Sequence, residues 1–347
     1  MKKLYQYNGV IHAHSTYSDG QKSIPEIAAI ANELDIDFLL MSDHNTLQPK
    51  IDGLEGWYDR VLVGIGTELN DAQDKNHYLS FNIEKPVNHL VKAEEYIKSV
   101  RNQDGFGIVA HPDETRSSIA AYPPYPWTLW DSDLFDGIEI WNQMSEWLEG
   151  LTHFNKFWRA MHPRRSIKSP KKETLARWDA ISKKRKIVGV GGVDAHGHIH
   201  KLWGLFPIRI FRYKVSFRTI RTHILTEQPL LKEDYQKSME LVYSAIRNAN
   251  CFVSHRLLGD ASNFRFYAEN KHGIASIGES LTYGDNTKII VQNPVEAKTC
   301  LIRDGKIVDC KQGLKLEFKL DEPGVYRVET IKSGKNWIFS NHIWINR

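Results

Sequence analysis

The chain has 347 residues, of which 41% are apolar and 25% are charged, a composition typical of globular proteins with one large domain or two domains. The formal net charge of +4 is weak for this length and no dense face of lysines and arginines is evident, so we do not expect a nucleic-acid partner. No segment approaches the roughly 18 uncharged apolar residues of a membrane span, and the N-terminus lacks the apolar run of a signal peptide. We therefore expect a cytoplasmic protein without a membrane partner, and three sparse cysteines agree with a reducing compartment.

The first two thirds of the chain repeat one pattern, in which a short apolar run is followed by polar residues and then by a helical segment. The apolar runs predict strands at residues 9–13, 38–41, 61–65, 77–83, 107–110, 137–141 and 186–190. Ser23, Pro25 and Glu26 have the spacing of a helix start, and a second helix is predicted at about 87–101. Polar residues at the ends of alternating strands favour a barrel with its site at that face. We predict a distorted seven-stranded β/α barrel, similar to a TIM barrel.

From about residue 260 the pattern changes to short strands joined by turns such as Asp304-Gly305 and Pro323-Gly324. Strands are predicted at residues 289–291, 299–302, 306–308, 314–318, 325–330 and 343–345. This pattern favours a small antiparallel β-sandwich, preceded by a helix at about 236–248. We expect two domains, the barrel at residues 1–258 and the sandwich at residues 259–347.

Histidines and carboxylates recur directly after the predicted strands. In IHAHSTYSDG, residues 11–20, side chains that alternate along a strand would place His12 and His14 on one face. Two adjacent imidazoles gain little as packing but suit a divalent metal. The nine candidate ligands are His12, His14, Asp19, His44, Glu68, His77, His111, Asp194 and His196. One such histidine alone is more often structural, but nine nitrogen and oxygen donors at strand ends, with no thiolate, predict several zinc, manganese or iron ions.

Six segments carry a family resemblance: IHAHSTYSDG, MSDHN, GTELN, HYL, AHP and GVDAH. In their order and spacing, over residues 10–196, they resemble the PHP family of metallohydrolases, named for polymerases and histidinol phosphatase. The resemblance implies a site with three divalent metal ions. It would assign His12, His14, Glu68 and Asp194 to the first ion, Glu68, His77 and His111 to the second, and Asp19, His44 and His196 to the third.

A finer resemblance covers almost the whole chain and includes WDSDLFDGIEIWNQMSEW and GDASNFRFYAEN. It is to the branch of the family that contains a carbaryl hydrolase and that also carries a C-terminal β domain. We therefore predict a metal-dependent hydrolase of a small phosphate mono- or diester, in which a metal-bridging hydroxide is the nucleophile. The alternative is hydrolysis of an aryl carbamate, amide or ester. A non-enzymatic metal-binding module is disfavoured, because every ligand position carries a competent side chain.

Catalytic roles are predicted for three residues. Glu68 would bridge two ions, Asp194 would orient the nucleophile or relay its proton, and His196 would protonate the leaving group only if no metal holds it. Because the three carboxylates do not neutralise three divalent ions, we expect an anionic small-molecule substrate.

Several further residues are candidates for binding that substrate. Arg116, Arg218 and Arg221 would hold its anionic group, with surface ion pairs as the alternative. The aromatic loop 121–130, together with Trp141 and Trp147, would form a pocket wall or else pack on itself. Glu139 would support the metal ligands from behind. The sequence leaves the oligomeric state open.

Overall fold

The computed structural model describes residues 3–202 and 206–347. The N-terminal elements are β1 (Tyr5–Ile11), α1 (Ile24–Asn32), β2 (Phe38–Met41), α2 (Gln48–Ile51), β3 (Gly56–Tyr58), β4 (Val61–Ile65), β5 (Thr67–Leu69), β6 (Tyr78–Phe81), α3 (Ala93–Arg101) and β7 (Phe106–Val109). The central elements are β8 (Gly137–Asn142), α4 (Gln143–Glu149), α5 (Lys156–Met161), α6 (Lys172–Ser182), β9 (Val188–Gly192), β10 (Ile199–Leu202), β11 (Phe206–Arg209), α7 (Tyr213–Ser216), β12 (Ile220–Thr226), α8 (Tyr235–Arg247) and β13 (Cys251–His255). The C-terminal strands are β14 (Arg265–Asn270), β15 (Gly273–Ser276), β16 (Ser280–Thr282), β17 (Lys288–Arg303), β18 (Lys306–Lys319), β19 (Gly324–Lys332), β20 (Lys335–Ser340) and β21 (Ile343–Asn346).

Helix α1 begins where the sequence predicts it. The backbone N–H of Ser23 donates to the carboxylate of Glu26 at 2.9 Å, and Pro25 occupies the first turn. Ile24, Ile27, Ala28 and Ala31 bury one face of this helix against the sheet. Helix α3 begins at Ala93, about six residues later than predicted.

The strands form two large sheets, and the predicted closed seven-stranded barrel is not confirmed. A 14-stranded mixed sheet contains β1, β2 and β4 as parallel neighbours, and a five-stranded sheet has the order β5-β6-β7-β8-β9. Among the described residues these pairings do not close into one ring; two isolated parallel bridges, Ala13 to Ala195 and His44 to Glu68, join the sheets. His12 and Asp194, which follow β1 and β9, have positive φ angles that interrupt the extended backbone.

The two sheets share an apolar core, which brings their strand ends together. The mixed sheet contributes Ile11, Phe38, Leu40 and Leu62, and the five-stranded sheet contributes Leu79, Phe81, Phe106, Ile108, Val188 and Val190. Met239, Val242 and Ile246 of α8 pack into the same core. The opposite faces of β1, β2 and β4 are buried against α1, as expected for parallel strands covered on both sides.

The C-terminal strands are mostly antiparallel, as predicted, but they are continuous with the N-terminal sheet. Strand β20 pairs with β13, so the mixed sheet runs from the first half of the chain into the second. The predicted strands at residues 289–291 and 299–302 belong to one long strand, β17, whose register shifts between Gln292 and Ala297. The boundary at residue 258 stays a prediction.

Two cysteines of the C-terminal strands are joined. Cys300 of β17 and Cys310 of β18 are cross-strand partners and form a disulfide, whereas Cys251 is buried and free. The cysteines therefore give no support to a reducing compartment, and the cytoplasmic location stays a prediction. In residues 3–202 and 206–347, no helix is both long and apolar enough to cross a bilayer.

Candidate metal centre

Two short arms, His12-Ala13-His14 and Asp194-Ala195-His196, lie side by side after β1 and β9. The backbone N–H of His14 donates to the carbonyl oxygen of Ala195 at 3.0 Å, and the N–H of Ala195 donates to that of His12 at 3.3 Å. The first residue of each arm is left-handed, with φ angles of 69° for His12 and 53° for Asp194. The two arms therefore present their side chains to the same space.

This geometry corrects the prediction that strand alternation places His12 and His14 on one face. Strand β1 ends at Ile11, and the left-handed turn at His12 follows it directly. The two imidazoles still converge, because their Nε2 atoms lie 3.4 Å and 3.3 Å from the same Oδ1 of Asp194.

Glu68 of β5 lies at the centre of the site and is 1% exposed. Five imidazole rings contact its two carboxylate oxygens, three at Oε2 and two at Oε1. Oε2 lies 3.0 Å from His12 Nε2, 3.2 Å from His14 Nε2 and 3.4 Å from His44 Nδ1, and Oε1 lies 2.7 Å from His77 Nδ1 and 3.2 Å from His111 Nε2. A carboxylate with a separate set of nitrogens at each oxygen can bridge two metal ions.

The donor atoms fall into overlapping groups that could each hold an ion. In the described part of the chain, atoms within 4.8 Å of one another come from His12, His14, Glu68 and Asp194, from His14, Asp19, His44 and His196, and from His44, Glu68 and His77. The first group equals the predicted first ligand set, and the second contains the predicted third set together with His14. The remaining group has His44 where His111 was predicted, although His111 also contacts Glu68. The ligand roles themselves stay predictions.

The nitrogens of these imidazoles are poorly satisfied. Nδ1 of His14, Nε2 of His77 and Nδ1 of His111 are buried and have no hydrogen-bond partner among the described residues. His14 Nε2 and His44 Nδ1 lie 3.2 Å and 3.4 Å from Glu68 Oε2, but without the geometry of a hydrogen bond. An unsatisfied buried polar atom costs about 1–3 kcal/mol. Divalent metal ions bound by nitrogen and oxygen would remove much of this cost, so the donor set fits such ions.

The carboxylates dominate the electrostatics of the site. Burial alone would raise the pKa values of Glu68 and Asp194, but the surrounding histidines hold both well below their usual range. Burial opposes protonation of His14 and His77, yet the carboxylates raise their pKa values to about 9 and about 10. The protonated imidazole rings of His14 and His77 therefore balance the negative charge of the buried carboxylates.

His44 and His196 behave in the opposite way. Burial and the neighbouring imidazole of His14 together lower the pKa of His44 to about 4 and that of His196 to about 3, although nearby carboxylates act in the opposite direction. Both rings are therefore neutral near pH 7, the state in which imidazole binds metals. His196 Nε2 and His44 Nε2 lie 3.3 Å and 3.8 Å from the same Oδ1 of Asp19.

Glu139 of β8 supports the site from behind, as predicted. Its Oε1 lies 3.0 Å from His12 Nδ1, and its Oε2 accepts from the backbone N–H of His111 at 2.8 Å and from the Asn142 amide at 2.9 Å. A carboxylate on Nδ1 directs Nε2 of the same ring toward a metal. A Cβ atom at Gly192 would lie 1.8 Å from Glu139 Oε1, so only glycine leaves room for this carboxylate.

Two residues that support the candidate ligands are not predicted from the sequence. Asp43 accepts from the backbone N–H of Ser15 at 2.7 Å, from its hydroxyl at 2.8 Å and from the hydroxyl of Ser18 at 2.7 Å. The Tyr213 hydroxyl lies 2.7 Å from the carbonyl oxygen of His14 and 2.8 Å from that of His196, and so ties the two arms together. Asp43 is adjacent to His44 in the segment MSDHN, which is a signal for a supporting role. Nothing in the sequence indicates such a role for Tyr213.

A cavity of about 460 Å³ opens over the candidate ligands. The ligands that line it are Asp19, His44, Glu68, His77, His111, Asp194 and His196. The apolar wall is formed by Ala121, Tyr122, Tyr125, Met144, Trp147, Leu148 and Phe211. Part of the predicted aromatic loop thus faces the cavity, while Trp127 is buried in the core and Trp141 packs against His255 and Phe339.

Arg116 lines the cavity, but its guanidinium already has partners. It forms an ion pair with Glu114, donates from Nε to the carbonyl oxygen of Tyr122 at 3.1 Å and donates from Nη2 to that of Pro123 at 2.7 Å. Arg116 therefore holds the aromatic loop in place. Asp74 and Glu114 also line the cavity, and the sequence does not mark either of them as a site residue.

Arg218 and Arg221 are not among the described residues that line the cavity, so the predicted substrate clamp is corrected here. Arg221 is 1% exposed and donates from Nε to the carbonyl oxygen of Phe217 at 2.7 Å and from Nη1 to Asn8 Oδ1 at 2.8 Å. Arg218 is an exposed residue between α7 and β12. Arg218 and Arg221 are three residues apart, but their side chains do not meet, because that of Arg221 points into the core.

Comparison with known proteins gives distant structural similarity. No family model and no curated protein matches the chain. A two-domain protein from Bacteroides vulgatus that contains a predicted PHP-like metal-dependent phosphoesterase is 12% identical, with a TM-score of 0.46, over 98% of this chain and 95% of that one. PsfC from Pseudomonas syringae is 12% identical, with a TM-score of 0.43, over 70% of this chain and 89% of that one. An amidohydrolase from Chromobacterium violaceum, with bound sulfate and no metal, is 13% identical, with a TM-score of 0.32, over 56% of this chain and 91% of that one. At these values we transfer no residue role from them.

Proposed function

We propose that the protein is a metal-dependent hydrolase of a small-molecule substrate. The proposal rests on one observation: three imidazole rings contact one oxygen of the buried Glu68 carboxylate, and two further rings contact the other oxygen. Such an arrangement has little structural purpose, because it leaves buried ring nitrogens without partners beneath an open cavity.

The chain offers ligands for up to three divalent ions, of zinc, manganese or iron. The proposed ligands are His12, His14, Glu68 and Asp194 for the first ion, Glu68, His77 and His111 for the second, and Asp19, His44 and His196 for the third. When bound, such ions would lower the pKa of a water molecule toward neutrality and polarise the oxygen of the bond to be cleaved. His44 lies near both the second and the third set, within reach of Glu68 and of Asp19.

The other roles belong to side chains that position and bind. Glu139 fixes the ring of His12 so that its Nε2 faces Glu68 and Asp194. Asp194 is held ionised and reaches the cavity, so it can orient the nucleophile by accepting a hydrogen bond from it. The apolar wall would bind the organic group of the ester and exclude water beside the reacting bond.

The first candidate substrate is a small phosphate mono- or diester, because bound divalent ions would attract an anion. The second is an aryl carbamate, amide or ester, in line with the resemblance to the branch that contains a carbaryl hydrolase. The engaged donors of Arg116 and the aromatic wall would suit the second, but the positive charge of bound ions keeps the phosphate ester first. Both reactions would use the same ligands, and we keep a cytoplasmic location as part of the proposal.

The test combines metal analysis with a hydrolysis panel. The protein is loaded with zinc or manganese and assayed on an aryl phosphate monoester, an aryl phosphodiester and a naphthyl carbamate. His14→Ala should lose bound metal and turnover together, whereas His272→Ala, at an exposed histidine outside the cavity, should retain both. Turnover of the carbamate alone would reverse the order of the two candidates. Failure of the wild-type protein to bind metal would overturn the proposal.

A further inference from the structure

Residues 151–172, here called the basic segment, are the most one-sidedly charged part of the chain. They contain seven lysines and arginines and no aspartate or glutamate. The cations are Lys156, Arg159, Arg164, Arg165, Lys168, Lys171 and Lys172. This local charge exceeds the formal net charge of +4 of the whole chain, so the segment concentrates positive charge that the rest of the molecule balances.

The same segment exposes large apolar side chains. Phe154 is 100% exposed, Met161 is 78% exposed, Trp158 is 52% exposed and Phe157 is 47% exposed. Single exposed apolar residues are common, but four within eight positions form a patch, and such patches mark binding surfaces.

Helix α5 orients this patch away from the protein. Phe157, Trp158 and Met161 have the spacing of one helical face, and Arg159 lies on the opposite side. Arg159 donates from Nη2 to the carbonyl oxygen of Trp147 at 2.6 Å, and its guanidinium lies 5.9 Å from the Trp147 ring. One side of α5 is thus fixed to α4, and the other side faces solvent.

The patch is connected to the candidate metal centre through α4. Trp147, which Arg159 contacts, lines the cavity together with Met144 and Leu148 of the same helix. The indole N–H of Trp147 donates to the carbonyl oxygen of Arg159 at 3.3 Å. A surface bound at α5 would therefore lie one helix away from the cavity wall.

We propose that the basic segment docks the protein on an anionic phospholipid surface. Exposed aromatic and aliphatic side chains would enter the boundary between head groups and acyl chains. Lys171 pairs with Glu149 at 3.0 Å and Arg159 binds the carbonyl oxygen of Trp147, so these two cations are engaged within the protein. The other five, Lys156, Arg164, Arg165, Lys168 and Lys172, would pair with lipid phosphates and carboxylates. The contact is peripheral and needs no spanning helix. It departs from our sequence-based expectation that the protein has no membrane partner.

The observations favour lipid over single-stranded nucleic acid, which also binds basic and aromatic surfaces. Met161, one of the most exposed members of the patch, has no aromatic face on which a base could stack. The ring of Trp158 is already stacked on His162, with the centroids 5.1 Å apart. Insertion into a lipid interface uses the apolar edges of these side chains and needs no free ring face.

The test measures sedimentation of the full-length, metal-loaded protein with phosphatidylcholine vesicles that contain or lack phosphatidylserine. We expect binding to the phosphatidylserine vesicles that weakens with added sodium chloride. Arg164→Glu with Arg165→Glu should lower the partition coefficient by at least about 25-fold, since each cation near the surface contributes about fivefold. Phe154→Ser with Phe157→Ser should weaken binding at high salt as well, because the apolar contribution is not screened.

Two control variants change the same chemistry elsewhere. Lys183→Glu with Lys184→Glu reverses two exposed cations after α6, and Ile307→Ser with Leu314→Ser removes two exposed apolar residues from β18. Both should bind vesicles as the wild type does. The proposal is overturned if the wild type does not sediment, if the control variants lose as much binding as the patch variants, or if the patch binds an oligonucleotide and not the vesicles. None of these results depends on hydrolytic activity.

Discussion

Three candidate ligands have positive backbone φ angles, which residues other than glycine seldom adopt. His12, His111 and Asp194 have φ angles of 69°, 26° and 53°, and each directly follows a strand or lies within two residues of its end. Non-glycine residues in this region store strain, and such residues cluster at functional sites. At these three positions the positive φ angle directs the side chain away from its sheet and toward Glu68.

Gly192→Ala tests the support behind His12. The new Cβ atom would lie 1.8 Å from Glu139 Oε1, so Glu139 must leave His12 Nδ1 and the backbone N–H of His111. We expect metal affinity to fall by about 10- to 100-fold, the usual effect of losing a partner of a ligating histidine. Isothermal titration with zinc measures this change.

Gly334→Ala is the matched control for that substitution. Gly334 lies in the turn between β19 and β20, where an added Cβ atom meets nothing within 4 Å. Its positive φ of 74° makes the change mildly destabilising, but metal affinity should not move. Equal affinities for the wild type and Gly192→Ala would show that Glu139 does not position His12.

The sequence is a good guide to which residues converge and a poor guide to how they do so. The candidate ligands were predicted because polar residues follow buried apolar strands, and strand ends of packed sheets meet in space. The sequence does not predict the left-handed turn at His12, because histidine adopts positive φ angles more often than most residues but still only occasionally. Arg221 was misread for a related reason: its place in SFRTIRTH shows charge but not that its side chain lies against carbonyl oxygens in the core.

At the scale of elements, one buried polar cluster joins α6 to the C-terminal strands. Asp179 of α6 accepts from Nε and Nη2 of Arg327 at 2.7 Å and 2.9 Å and from His342 Nε2 at 2.8 Å. Ser182 contacts the other nitrogen of His342 at 3.2 Å. The order serine, histidine, aspartate resembles a nucleophilic triad, but all three are buried and Arg327 occupies the carboxylate, so the cluster is structural.

Asp179→Ala should destabilise the protein by about 3–5 kcal/mol, because it leaves the guanidinium of Arg327 buried without its partner. Urea unfolding at pH 7 measures the difference in the free energy of unfolding. Asp309→Ala, on the exposed side of β18, is the control and should change it by less than about 0.5 kcal/mol.

The effect of Asp179 should also depend on pH, with a definite sign. Burial alone would raise the pKa of Asp179, but hydrogen bonds from Arg327 and His342 lower it to about 2, below its ordinary value of 3.8. The carboxylate therefore stabilises the fold fully above pH 3.8, and this contribution is lost as the pH falls toward about 2. The difference between wild type and Asp179→Ala should shrink over that interval and stay constant from pH 5 to pH 7.

At the scale of the whole molecule, the C-terminal strands complete the N-terminal half. The Asn341 side chain accepts from the backbone N–H of Gly189 at 2.7 Å and donates to the carbonyl oxygens of Gly189 and Cys251 at 2.8 Å and 2.9 Å. It thereby bridges β9 and β13. The change of pattern near residue 260 marked the start of the antiparallel strands, but pairing of β13 with β20 is a long-range contact that no local pattern reveals.

A chain that ends at residue 258 should not fold cooperatively. Its β13 would lose its β20 neighbour, and buried backbone groups of Gly189 and Cys251 would lose their partners. Thermal unfolding followed by circular dichroism should show no sharp transition for this fragment. A cooperative transition, with zinc binding intact, would instead support the predicted domain boundary at residue 258.

At the candidate site the two sheets are joined by the isolated bridges Ala13 to Ala195 and His44 to Glu68, and the backbone N–H of Val193 donates to the carbonyl oxygen of Ile11 beside them at 3.1 Å. Ions bound there would cross-link the sheets in addition to these hydrogen bonds and the shared apolar core. At a free metal concentration 100-fold above the dissociation constant, one ion adds about 2.7 kcal/mol to the folded state. If the proposed ions bind, the fraction of unfolded chain that proteases can cleave would rise as free metal falls, so the abundance of the protein would follow the metal supply.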